Sequence, residues 1–266
     1  MFGFPIEIKK FEWPFDAKFD REEIIPLLNE FFGHPKSQEV PYEFYAVTRP
    51  DYGLVRPVMV ISAPMHDRKA YYTIRITIHP DPYTNSIFNL PSYQKHRIEQ
   101  LIQTLKDHYP TNHFIESNKF FIVMQNFIFL PVCRFDRYID MINLVEIIWL
   151  ASSSRVLLDY NQNHWLTSEN GRLYYVDKDY MGDFYPNRDE ALGANINQSM
   201  IFFSLKNCGF LPQALNEFAD LGISQAKFVN AFKRTLKQYV TSCQTQQELS
   251  ERLQQKLHCL SKVYGE

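Results

Sequence analysis

The clearest periodicity in the chain runs from Lys69 to His79, where Thr73, Arg75 and Thr77 alternate with Ile74, Ile76 and Ile78. A period of two with one apolar side predicts a half-buried strand, and it puts Arg75 on the face of the two threonines. Two further strand-like runs precede it, Tyr42 to Thr48 and Leu54 to Ser62, joined by the turn Arg49-Pro-Asp-Tyr-Gly53. Before them a helix is predicted. Asp20 can cap it, Ile24, Ile25, Leu28, Phe31 and Phe32 form its apolar side, and Gly33-His-Pro ends it. After a Pro-rich loop over 80–91, Ser92 to His108 reads as a helix with Ile98, Leu101, Ile102 and Leu105 on its apolar face. Asn112 to Ser117 and Lys119 to Phe129 read as two more strands.

The second half changes character. Asp136 to Ala151 is a strongly apolar helix, followed by a polar, Gly-containing segment. Pro212 to Leu221, Ser224 to Val240 and Thr245 to Tyr264 carry helical periodicity, with Ser224 as the expected N-cap and a Gln-, Glu- and Lys-rich surface on the last. The pattern predicts an α+β protein of two lobes with a cleft between them. Residues 1–129 form a mixed, β-rich part and residues 130–266 a mainly helical one.

Composition narrows the chemistry. Hydrophobic residues make up 45% of 266, enough for a sizeable core. Only 9 glycines are present, so a mechanism that needs a glycine-rich loop starts at a disadvantage. The net charge of −2 argues against a general nucleic-acid binder. The most apolar runs, Phe120 to Val132 and Leu144 to Ala151, are interrupted by Gln125, Asn126 and Glu146 and fall short of a membrane span. The N-terminus lacks the pattern of a signal peptide. Cys133, Cys208, Cys243 and Cys259 form no C-x-x-C pair and read as thiols in a reducing compartment, so a cytoplasmic protein is expected. There is no G-x-S-x-G element, no G-x-G-x-x-G and no P-loop.

The segment that carries chemistry is Arg155 to Gly182. His164 to Thr167 and Leu173 to Val176 read as the strands of a hairpin with a turn at Glu169-Asn170-Gly171. Asp159 lies before this hairpin, and Asp177 and Asp179 lie just after it. The hairpin therefore brings acidic groups from both ends together. Phosphoryl transfer needs such a set: one carboxylate to orient the attacking hydroxyl, and others to hold a dication against nucleotide phosphates. Plainer roles exist for each residue. Asp159 and Asp179 suit turns, His164 suits a hydrogen-bonded structural histidine, and Arg75 and Glu99 suit solvated surfaces.

The spacing resembles the catalytic loop and metal-binding hairpin of kinase-fold enzymes. His164 stands five residues after Asp159, where that family keeps a metal-binding Asn, and Asn163 is one place early. Asp177-Lys-Asp179-Tyr180-Met-Gly182 is similar to the Asp-x-Glu-Tyr-x-Gly run of choline-kinase and aminoglycoside-phosphotransferase-like enzymes, and Asp189-Glu-Ala191 echoes their later Asp-x-Ala. The order strand, strand, strand, helix, strand, strand in the first half is that of a kinase N-lobe. The resemblance implies an ATP- and Mg²⁺-dependent phosphotransferase acting on a small-molecule or protein hydroxyl. Asp159 would be the catalytic carboxylate. Asp177, with His164, Asn163 and Asp179, would hold the metal, and Arg75, paired with Glu99, would serve the nucleotide.

The chain departs from the family pattern at several places. Leu157 replaces a His, His164 replaces the Asn, Arg75 replaces a strand Lys, and no Ala-Pro-Glu element follows. Only Gly53 is available where a glycine-rich loop would join the first two strands. These departures fit a second expectation, a kinase-like pseudoenzyme that binds a nucleotide or a partner protein. A third is an unrelated α+β interaction protein. The acceptor and the oligomeric state are not written in the sequence.

Overall fold

The structure is a computed structural model, and it describes residues 7–48, 58–65, 68–79, 90–178, 185–203, 207–244 and 250–264. The turn from Arg49 to Gly53, the start of the second predicted strand, residues 80–89 of the Pro-rich loop and the run from Asp179 to Gly182 lie outside the described residues. The chain divides into two compact units. One comprises Met1–Ile102 and Pro110–Phe129, the other Gln103–Tyr109 and Leu130–Glu266.

The first unit is a six-stranded antiparallel sheet with helices. Its elements are β1 (Glu7–Phe11), α1 (Arg21–Phe31), β2 (Glu43–Thr48), β3 (Val58–Met65), β4 (Arg68–Ile78), α2 (Pro91–Leu105), β5 (Asn112–Glu116) and β6 (Phe120–Asn126). The sheet order is β1-β2-β3-β4-β6-β5. Alternation decides the faces. Ile74 on β4 joins Phe44, Ile61, Phe120, Ile122 and Met124 in a core closed by Ile24 and Leu28 of α1, with Ile76 and Ile78 packed at its margin. The intervening Thr77 accepts a hydrogen bond from Gln94 of α2 at 3.3 Å. Asp20 caps α1 through Glu22 N at 2.9 Å, as its position predicts. Gly33 ends α1 at φ +76°, a left-handed conformation suited to glycine.

Three details differ from expectation. β1 reads as no strand in the sequence, because four of its five residues are exposed and its pairing with β2 is long-range. Ile102 is exposed on α2, whereas Ile98, Leu101 and Leu105 are buried. The α-helix stops at Leu105, because Lys106 takes φ +48° and the next residues tighten into a 3-10 turn.

The second unit is mainly helical. It contains α3 (Tyr138–Ser153), the hairpin β7 (Trp165–Thr167) and β8 (Leu173–Tyr175), then α4 (Arg188–Ser199), α5 (Leu211–Asp220), α6 (Ile223–Gln244) and α7 (Glu251–Ser261). α3 packs against α4 and α5, and α6 packs against α4, α5 and α7. Burial of Met141, Leu144, Val145, Ile147 and Ile148 explains why α3 is so apolar. α4 starts at a side-chain N-cap, Asn187, that the sequence analysis does not name. Asn187 accepts from Glu190 N at 2.9 Å and donates to its carboxylate at 2.8 Å. Ser224 does not cap α6. Ala226 N reaches the Gly222 carbonyl at 2.9 Å, which puts the cap two residues earlier, at Gly222.

The cysteine expectation is corrected for one pair. Cys208 and Cys259 form a disulfide across a sequence separation of 51, while Cys133 and Cys243 are free. α7 packs against the 3-10 turn Cys208–Phe210 and brings the two together, a proximity that spacing does not reveal. No described helix is long and apolar enough to cross a membrane.

Candidate metal centre

The hairpin is built on a buried aromatic cluster. Trp165 stacks with Tyr160 at 5.4 Å and lies 5.0 Å from Tyr175, and all three are essentially inaccessible to solvent. Truncating such a side chain typically costs about 3–5 kcal/mol, so this cluster fixes the hairpin's inner face. The turn is fixed by chemistry at Gly171. Its φ is +89°, and a Cβ placed there would sit 2.4 Å from Ile139 Cγ1. The other end of the turn is tied down by charge. Arg137 chelates the buried Asp140 through Nη2 at 2.6 Å and Nε at 3.1 Å, and it also donates to the Ser168 and Glu169 carbonyls. Thr167 completes this network by donating to Asp140 at 3.1 Å.

Asp159 leaves the core just ahead of the hairpin. The segment before it is gripped by Asn195, which is fully buried in α4. Asn195 accepts from Leu158 N at 3.3 Å and the Tyr160 hydroxyl at 2.8 Å, and donates to Val156 O and Ala191 O, both at 2.8 Å. All the hydrogen-bonding capacity of this amide is used within the protein. The Asp159 backbone N–H donates to the Tyr175 hydroxyl at 3.2 Å, and Trp165 Nε1 donates to the Asp159 carbonyl at 3.3 Å. Burial, reinforced by the charge of Asp177, pushes the Tyr175 phenol well above its usual range, so it keeps its proton. Asp177 is anchored from the other side, where the Tyr109 hydroxyl donates to its carbonyl at 2.9 Å.

The result is a convergence on one ring. His164 Nδ1 lies 3.3 Å from Asp159 Oδ2 and 3.5 Å from Asp177 Oδ2. Each carboxylate commits its other oxygen to backbone. Asp159 Oδ1 accepts from Asn161 N at 2.9 Å, and Asp177 Oδ1 accepts from Lys178 N at 2.8 Å. His164 is positioned by the hairpin ladder, its carbonyl accepting from Val176 N at 2.8 Å. Its Nδ1 is buried and makes no aligned hydrogen bond among the described residues, despite the short distances to both aspartates. Asn163 likewise holds a buried amide oxygen without a hydrogen-bond partner among the described residues. Asp159, His164 and Asp177 each offer one ligand atom, and the three atoms lie within 4.8 Å of one another. His164 Nδ1 is the buried atom of the three without an aligned hydrogen bond among the described residues, and beside two carboxylate oxygens it offers a dication a mixed oxygen and nitrogen ligand set.

The other expected site residues fall elsewhere. Arg75 is on β4 opposite Val123, and Glu99 is on the exposed side of α2, both in the first unit. Asp179 lies outside the described residues. Asp189 is an exposed first-turn residue of α4. Sequence reading missed Asn195, Tyr109 and the Arg137–Asp140–Thr167 network. The one available signal for Asn195 was a polar residue at a helix-interior position where Asn is unfavourable. Compared with known proteins, the chain matches no family model and no curated protein sequence.

Proposed function

We propose that this chain is an ATP-dependent phosphotransferase of kinase-like fold, transferring the γ-phosphoryl group to a hydroxyl of a small molecule or protein. The observation that carries the reading is the convergence of Asp159 and Asp177 on one point from opposite ends of a single hairpin. The order of strands and helix in the first unit, and the helices of the second, add support.

In this reading Asp159 accepts the acceptor's hydroxyl proton as the oxygen–phosphorus bond forms. The bond between the γ-phosphorus and the β–γ bridging oxygen breaks, and ADP leaves. Asp177 and His164, with Asn163 beside them, hold the dication, and Asp179 is assigned the same role by the resemblance. A dication so held neutralises charge on the phosphate oxygens. Asn195 and Tyr175 keep the Asp159 backbone in place without touching substrate. The nucleotide roles of Arg75 and Glu99 come from the resemblance alone, and no step above uses them.

A second reading is a kinase-like pseudoenzyme acting as a nucleotide- or protein-binding module. One observation favours it: the His164 ring fills the space between the two carboxylates at a position where the resembling enzymes keep a metal-binding Asn. Thermal shift with ATP separates the cases. The phosphotransferase reading expects stabilisation by ATP with Mg²⁺ or Mn²⁺ that disappears in Asp177→Ala. Stabilisation by ATP without any dication, unchanged in Asp177→Ala, favours the second reading. No stabilisation with either metal counts against the first.

A further inference from the structure

We infer that the Asp159–His164–Asp177 centre selects a transition-metal dication over Mg²⁺, with His164 Nδ1 as the selecting ligand. The inference rests on the reading of these residues as a metal centre and names the cation that centre takes. Mg²⁺ demands near-octahedral oxygen coordination and gives up its waters reluctantly. The donor set here is two carboxylate oxygens and one imidazole nitrogen, all within 4.8 Å of one another. Imidazole suits the first-row transition dications, whose affinities for N/O sites rise from Mn²⁺ through Co²⁺.

The backbone that carries the ring is fixed beside the site. His164 closes the 3-10 turn Gln162–His164, its backbone N–H donates to Asn161 O at 3.0 Å, and its carbonyl is in the ladder with Val176. The ring also packs edge-on against the fully buried Tyr175 at 6.2 Å. Nδ1, the nitrogen nearer the backbone, is the atom aimed at both carboxylates, and it is the buried atom without an aligned partner. A nitrogen donor fixed at this point disfavours an oxygen-seeking cation and favours one that accepts mixed ligands. An Asn at the same position would offer oxygen instead and remove the discrimination.

The test is cation binding to the protein without nucleotide. Competition of Mg²⁺ against Mn²⁺ is followed by the Mn²⁺ electron paramagnetic resonance signal and repeated with Co²⁺ by its visible absorption. Wild type is expected to prefer Mn²⁺ over Mg²⁺ by on the order of tenfold or more, with Co²⁺ tighter still. His164→Asn should bring the Mn²⁺ to Mg²⁺ ratio close to one, and Asp177→Ala should abolish binding of all three. Nitrogen hyperfine coupling to bound Mn²⁺ should be present in wild type and absent in His164→Asn. His164→Gln serves as a second variant should His164→Asn not fold.

Equal affinity for Mg²⁺ and Mn²⁺, a ratio unchanged in His164→Asn, or no cation bound at all would overturn the inference. Selective cation binding without ATP turnover would instead defeat the phosphotransferase reading and leave this one standing.

Discussion

The Tyr160 hydroxyl donates to Asn195 Oδ1 at 2.8 Å, and through that bond α4 holds the segment that presents Asp159. Asn195 serves Val156 O and Leu158 N as well, so one buried amide holds three alternate residues of the segment that leads to Asp159 and Tyr160. Replacing it with Ala leaves several buried groups unsatisfied, each costing about 1–3 kcal/mol. Asn195→Ala is therefore expected to destabilise the second unit by about 3 kcal/mol or more. Chemical denaturation measures this. A loss under about 0.5 kcal/mol, the usual range for surface changes, would show that the amide is not the clamp.

Gly171 and Ile139 test the hairpin turn. Ala at 171 meets both an unfavourable φ of +89° and the Ile139 side chain at 2.4 Å. Positive φ costs a non-glycine residue about 1–3 kcal/mol, and overpacking adds about as much. Gly171→Ala should lose about 2–4 kcal/mol on that basis. Combining it with Ile139→Ala should recover the steric part and leave the backbone part. Equal loss in single and double variants would mean that Ile139 is not the obstacle.

The disulfide closes a long loop, with Cys208 and Cys259 at a sequence separation of 51. The chain-entropy relation assigns such a loop a stabilisation of about 4 kcal/mol, with measured values more often about 2–4. A reducing agent, or Cys259→Ser, is expected to lower the melting temperature of the wild-type chain, and the agent should have little further effect on the variant. Non-reducing mass analysis of peptides supplies the direct check on the pairing.

His108 and Glu146 set a pH window. The ring's Nδ1 donates to the Leu173 carbonyl at 2.8 Å, and Nε2 lies 3.5 Å from Glu146 Oε2. Burial works against the charged ring, but Glu146 and the carbonyl outweigh it and raise the His108 pKa above 6.5. The same contact lowers Glu146 below 4.5. A raised His pKa gives stability that is complete below 6.5 and is lost as pH rises through the folded value. A lowered Glu pKa gives stability that is complete above 4.5 and is lost as pH falls through the folded value. Glu146→Gln should thus cost most between these two limits, with the difference shrinking in alkaline and in strongly acid buffer. Glu146 is 41% exposed, so the effect should be about 1 kcal/mol or less. Melting curves across pH read it, and a difference constant with pH would refute the pairing.

Local regularity made much of the fold legible. The alternation at Ile74, Ile76 and Ile78 records which side of β4 packs on α1, because a half-buried strand must separate its faces. Asp20, Gly33 and Gly171 mark boundaries through side-chain capping or positive φ, both local requirements. The union of Asp159 with Asp177 was legible for the same reason, since a short hairpin leaves its ends few places to go. What escaped depends on distant partners. β1 is defined by pairing with a strand more than thirty residues away, and Cys208 meets Cys259 only once α7 has packed. The sequence marks His164 both as a departure from the family Asn and as a candidate ligand, and that its Nδ1 faces both carboxylates at once depends on how the hairpin packs.

The most direct test of phosphoryl transfer is release of γ-phosphate from ATP, with Mn²⁺ and with Mg²⁺, by wild type, Asp159→Asn and Asp177→Ala. Removing a positioned proton acceptor typically costs a factor of about 10²–10⁴. Turnover is expected in wild type, with a loss of that order or more in Asp159→Asn, which also removes one of the two carboxylates of the centre, and no turnover in Asp177→Ala. Wild-type turnover that survives unchanged in Asp159→Asn, or no turnover above that of Asp177→Ala with either cation, would contradict it.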